Sequence, residues 1–151
     1  MENEKQTENF ENQLTSAAVG YLQESAKWSK FMAIIGFIGI GLMVLVSLFM
    51  AIGFSVMKPS NIPGLPFSMS VFSILYVLFA AIYFFPVYYL YQYATKTSAA
   101  LHSKNKQLLA DGLENLKSHH KFLGIFTLII ISIYGLIFVF AILGGILSTL
   151  S

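Results

Sequence analysis

Phe84-Phe-Pro-Val-Tyr-Tyr-Leu-Tyr-Gln-Tyr93, followed by a lysine-bearing connector and then by Leu116-Lys-Ser-His-His-Lys-Phe122 at the mouth of another apolar run, decides the fold. The pattern is that of a helix leaving a bilayer, turning over in water and going back in. Tyrosines crowd the exit, and lysines and histidines mark the re-entry. Aromatic rings with a polar tip and ammoniums on long apolar stems both suit the boundary between lipid and water.

Upstream, Phe31 to Met57 carries no charge over 27 residues. At about 1.5 Å per residue it reaches roughly 40 Å, more than a hydrocarbon core of about 30 Å requires. It is the first predicted span. Lys58-Pro-Ser-Asn-Ile-Pro-Gly-Leu-Pro66 ends it, because three prolines and a glycine in nine residues cannot continue a helix. The second span runs from Ser68 to about Tyr93 and contains Pro86, whose ring deprives the Ile82 carbonyl of its usual partner, so a kink is expected there. The third is Phe122 to Leu150, uncharged over 29 residues and followed only by Ser151.

Between the second and third spans, residues 94–121 are polar enough for water yet keep a helical stripe of Ala99, Ala100, Leu101, Leu108, Leu109, Leu113 and Leu116. A turn near Ser103 to Asn105, with Asn105 capping the returning helix, makes this segment a helical hairpin extending both spans. Before the first span, Leu14, Ala18, Tyr21, Leu22, Ser25 and Trp28 recur at helical spacing, with Thr15 or Ser16 as a cap. That amphipathic helix either continues into the first span or lies on the membrane surface. Residues 1–13 form a polar acidic tail, with Glu2, Glu4, Glu8 and Glu11 against Lys5, and lack the basic start, short apolar core and cleavage site of a secretory signal.

Composition agrees. The 151-residue chain is 56% hydrophobic and 11% charged, where soluble domains hold about a quarter charged residues. The expected class is all-α, a single three-span membrane domain over 14–151. A net charge of +2, made with nine lysines and no arginine, gives no nucleic-acid footprint. With no cysteine there is no disulfide, thiolate metal site or cysteine nucleophile. Orientation follows from the lysines. Lys96, Lys104, Lys106, Lys117 and Lys121 in the connector and Lys27 and Lys30 before the first span outweigh Lys58 in the first loop. The positive-inside rule then puts the N-terminus and the connector in the cytoplasm, and the proline-rich loop and the C-terminus outside.

No Asp, Glu, Lys, Arg or His lies within the three apolar runs, which removes the groups that proton relays and ion-coupled carriers use. His102, His119 and His120 do not compose a metal site. His102 sits beside the turn, roughly 22 Å from His119 along the returning helix, and adjacent His119 and His120 diverge by about 100°. No phosphate loop, dinucleotide fingerprint, nucleophile elbow or zinc-protease helix occurs. Neither an enzyme nor a cofactor is expected. Trp28, Lys30, Tyr88, Tyr89 and Lys121 read as interface anchors rather than ligand contacts. Pro86 reads as a packing kink rather than a gating hinge.

Small residues recur every four positions, at Ser47, Ala51 and Ser55, at Ser73 and Ala81 around Val77, and at Ala141 and Gly145. Such stripes let helix backbones approach in lipid, so these residues are the helix-packing candidates, within the chain or toward another copy or partner. Spans one and three also align at an offset of 91, pairing Lys30-Phe31 with Lys121-Phe122 and Gly53 with Gly144; apolar helices share such matches cheaply, so duplication is the lesser reading.

Three blocks, Tyr21-Leu-Gln-Glu-Ser-Ala-Lys-Trp-Ser-Lys-Phe31, Phe84-Phe-Pro-Val-Tyr-Tyr-Leu90 and Leu113-Glu-Asn-Leu-Lys-Ser-His-His-Lys-Phe122, occur in an order that resembles a family of small bacterial integral membrane proteins with a domain of unknown function. The resemblance runs from about Leu14 to Leu143. It implies a bacterial cell-membrane protein and supplies no activity. The functional expectation is a non-enzymatic accessory or scaffold subunit, or a homo-oligomer. The alternative is a homo-oligomeric channel or passive transporter for an uncharged solute, with Pro86 as hinge and Gln92 in the pathway. A third reading is binding of anionic lipid by the connector lysines.

Overall fold

The computed structural model describes residues 14–57 and 69–150. The acidic tail, the proline-rich loop and Ser151 lie outside the described residues. The described chain is all-α, with three long apolar helices and no strand: α1 Ser16–Met57, α2 Met69–Ser103 and α3 Lys106–Leu150. Each is long and apolar enough to cross a membrane. The N-terminal amphipathic segment and the first span are one continuous helix. Thr15 caps it, its Oγ1 accepting from the Ala18 amide at 3.2 Å and its carbonyl from Val19 at 3.0 Å. Pro86 does not divide α2, which stays helical on both sides of it.

The reversal between α2 and α3 takes two residues. Lys104 adopts a left-handed backbone with φ of 51°, and the Asn105 amide then donates 3.0 Å back to the Ala100 carbonyl, closing the end of α2. Asn105 opens α3 in the same step. Its Oδ1 accepts from the Leu108 amide at 3.1 Å and its carbonyl from Leu109 at 3.1 Å. Around the turn, buried Ala100 and Leu109 pack with Leu101, Leu108 and Leu14, which lies two residues ahead of α1.

The chain divides into two compact units, one up to His119 and one from His120 onward. In the first, α1 and α2 pack antiparallel, as the bond of Ser25 to Tyr93 and the contact of Gly36 with Val87 require. Each residue gained along α1 is one lost along α2. This register sets Ala26 level with Ala94, Ala33 with Val87, Ile40 with Ala80 and Ser47 with Ser73. All but Ile40 are buried, and Ile40 is half-buried. Both series advance by seven, the step that keeps side chains on one seam when helices cross at a shallow left-handed angle. Small residues on at least one side of every layer bring the backbones close. At Gly36 the approach is tightest, since a Cβ there would stand 2.8 Å from Val87 Cγ2.

The first turns of α3, Lys106 to His119, belong to this unit and lie along another face of α2. Gly112 meets Thr97 so closely that a Cβ would sit 2.6 Å from the Thr97 hydroxyl. In the second unit, by contrast, α3 stands as a single helix. From Thr127 to Ile146 every residue is exposed.

Candidate functional site

Among the described residues no group of three or more His, Asp or Glu is placed to hold a metal ion. His119 is engaged structurally: its Nδ1 lies 2.7 Å from the Pro86 carbonyl, and because a carbonyl only accepts, Nδ1 carries the proton. Pro86 itself is fully buried, so the proline is packed between elements at the point where its chain is least able to bond itself. His102 and His120 are both exposed.

The distinctive surface is one flank of the α1–α2 pair. At its upper end a groove of about 620 Å³ is lined by Gln23, Glu24, Lys27, Trp28, Lys30 and Ser98, over a floor that includes Ala26 and Ala94. Trp28 is 58% exposed and meets Phe31 edge-on at 6.0 Å. Further along, Phe37 packs against Phe84 at 5.8 Å and Tyr91 at 5.9 Å. Beyond these rings a second groove, about 390 Å³ and almost wholly apolar, is lined by Ile40, Val44, Val77, Ala80, Ala81, Phe84 and Phe85.

Of the anchor residues in the first unit, Trp28 and Lys30 line the upper groove, Tyr88 stacks on Phe84 with rings 5.9 Å apart, and Tyr89 lies 6.3 Å from Tyr88; Lys121, in the second unit, is exposed. Gln92 donates to the Tyr88 hydroxyl at 2.7 Å. Of the packing candidates, Ser47 and Ser73 are buried, whereas Ala51, Ala81, Ala141 and Gly145 are exposed. The Ser55 side chain lies outside the described residues. Ser47 turns its hydroxyl back to the Val44 carbonyl at 2.7 Å, which satisfies it without a cross-helix partner.

Sequence reading passed over Ala26, Ser29, Ala33, Gly36, Ala80 and Ala94, which form the seam, and the close pair Thr97 and Gly112. The signal for the seam was present as a seven-residue step rather than a four-residue one. Comparison of the chain with family models, with curated proteins and with solved structures finds no match. What can be said of the class therefore comes from the chain's own helices: an all-α protein whose three long apolar helices are compatible with a membrane protein.

Proposed function

We propose that the chain is a three-span integral membrane protein acting without catalysis, as an accessory or scaffold subunit of a membrane complex or as a homo-oligomer. The surface of α3 carries this reading. Leu128, Ile131, Tyr134, Phe138 and Phe140 are each more than three-fifths exposed, and they point around the whole circumference of the helix. Each such side chain costs about 1.5–3 kcal/mol in water relative to burial, a cost that only lipid or another protein removes.

Helix length supports insertion. At about 1.5 Å per residue, α1, α2 and α3 run well past a 30 Å hydrocarbon core, and the surplus falls where the polar residues are, before Phe31 and around the α2–α3 turn. Lysine placement favours a cytoplasmic N-terminus and turn, with the other ends outside. The family resemblance favours a bacterial cell membrane. Burial of Pro86 and the hold of His119 on its carbonyl weigh against the hinge that a gated solute channel would need.

The test is purification of the tagged full chain from its own membranes in mild detergent, reading mass and subunit composition together. A stoichiometric partner or a defined homo-oligomer is expected. A monodisperse monomer with no partner contradicts the reading, and solute flux through the reconstituted homo-oligomer would move it to the channel class.

A further inference from the structure

We propose that the grooved flank of the α1–α2 pair is a binding site for one anionic phospholipid, with its headgroup at Lys27 and Lys30 and an acyl chain laid past Phe37 into the apolar groove below. This rests on the membrane reading above.

The upper groove has the chemistry of a phosphate-bearing headgroup. Two ammoniums and one carboxylate line it, leaving an excess of one positive charge, and Gln23 and Ser98 add neutral hydrogen-bonding groups. Among the described residues neither ammonium is in an ion pair. Its depth also fits. The groove residues of α1 end at Lys30, immediately before the uncharged run begins at Phe31, which is where headgroups meet hydrocarbon.

The lower groove has the chemistry of an acyl chain and sits at an acyl chain's distance. From Trp28–Lys30 to Ile40–Val44 is 10 to 16 residues, roughly 15–24 Å along the helix, and one leaflet measures roughly 20–22 Å from headgroup to midplane. Both grooves open on the same flank. On α1, Lys27, Lys30, Phe37 and Val44 lie to one side of the seam; on α2, Phe84, Tyr91 and Ala81 lie to the matching side. Phe37, touching both Phe84 and Tyr91, joins the two grooves with an apolar surface. The early turns of α3 use a different face of α2, marked by Pro86 and Thr97, and leave this flank open.

Trp28, the chain's single tryptophan, lines the upper groove and reports occupancy directly. The full-length protein is reconstituted in vesicles of phosphatidylcholine mixed with increasing phosphatidylglycerol brominated high on its acyl chains, and Trp28 quenching is read against brominated phosphatidylcholine. Phosphatidylglycerol is expected to compete about fivefold or more better per lipid, with the preference removed in Lys27→Gln/Lys30→Gln and kept in the turn variant Lys104→Gln/Lys106→Gln. Ala81→Leu, which fills the lower groove, is expected to weaken both lipids while leaving the charge preference. Water-soluble glycerophosphoglycerol should not relieve the quenching.

Equal quenching by the two lipids overturns the proposal. So does a preference that the turn variant loses as fully as the groove variant, because that is diffuse attraction to the surface. Quenching by brominated phosphatidylethanolamine equal to that by phosphatidylglycerol overturns the charge assignment, and relief by glycerophosphoglycerol overturns the acyl-chain half. If no brominated lipid quenches Trp28 and the protein leaves the membrane fraction without detergent, the membrane reading itself has failed.

Discussion

Gly36 is where a single atom decides the packing. A Cβ there would meet Val87 at 2.8 and 2.9 Å, and Val87 is a buried, β-branched side chain with little freedom to move aside. Gly36→Ala should destabilise the α1–α2 pair by about 1–3 kcal/mol, with part of the loss recovered in Gly36→Ala/Val87→Ala. Unfolding followed by Trp28 fluorescence in mixed micelles measures both. Gly39, three residues along, has nothing within 4 Å of its absent Cβ, so Gly39→Ala should be neutral or stabilise by up to about 1 kcal/mol. Equal effects at the two glycines would mean that helix propensity, and not contact with Val87, sets the result. Nothing in the residue list separates these glycines. Each lies in an uncharged run, and only the register of the partner helix tells them apart.

The helices themselves were legible, because uncharged runs of 27 and 29 residues leave little other structure open to the backbone in an apolar setting. So was the cap at Asn105, a side chain suited to holding an exposed amide. The turn gives a direct check. Lys104 pays a steric penalty at φ of 51°, so Lys104→Gly should be neutral or stabilise by up to about 1 kcal/mol, while Asn105→Ala should cost about 1 kcal/mol. Protection of the Ala100–Leu109 amides against hydrogen exchange reads this locally; opposite signs would place the turn elsewhere. The packing faces were less legible. A stripe stepping by four residues advances about 40° around the helix each time, whereas a step of seven falls back by only about 20°. The stripes through Ser47 and Ser73 therefore start on the seam and leave it within one step, at Ala51 and Val77. The true seam continues in the other direction by sevens, through residues as unlike as Ile40, Val87 and Ala94, which a search for small residues alone does not connect.

For the molecule as a whole, the decisive property is an asymmetry between its two units. In the unit up to His119 the helices bury one face against each other, through a seam, a capped turn and the hold of His119 on Pro86, and leave apolar side chains such as Phe49 and Ile74 exposed on their other faces. The unit from His120 onward has apolar side chains exposed on all sides. The sequence could signal that this surface needs covering but not by what, since Ile, Leu and Phe are equally suited to lipid and to another helix. Chemistry was not legible in the sequence for a plainer reason: the apolar runs carry no Asp, Glu, Lys, Arg or His from which to read a role. The proposal that the chain works as a subunit or homo-oligomer, with the small-residue face of α3 at Ala141 and Gly145 as its contact, is tested most directly by single-cysteine cross-linking, and the chain has no cysteine of its own to interfere. Cysteines placed singly at Ile137, Ala141 and Gly145, and on the opposite side at Val139 and Leu143, are oxidised or cross-linked in native membranes. The account predicts a discrete cross-linked species, a dimer or a fixed heavier adduct, from the Ala141 and Gly145 positions and little from Val139 and Leu143. No product above background at any position, or equal yields all round the helix, would contradict it and leave α3 facing lipid alone.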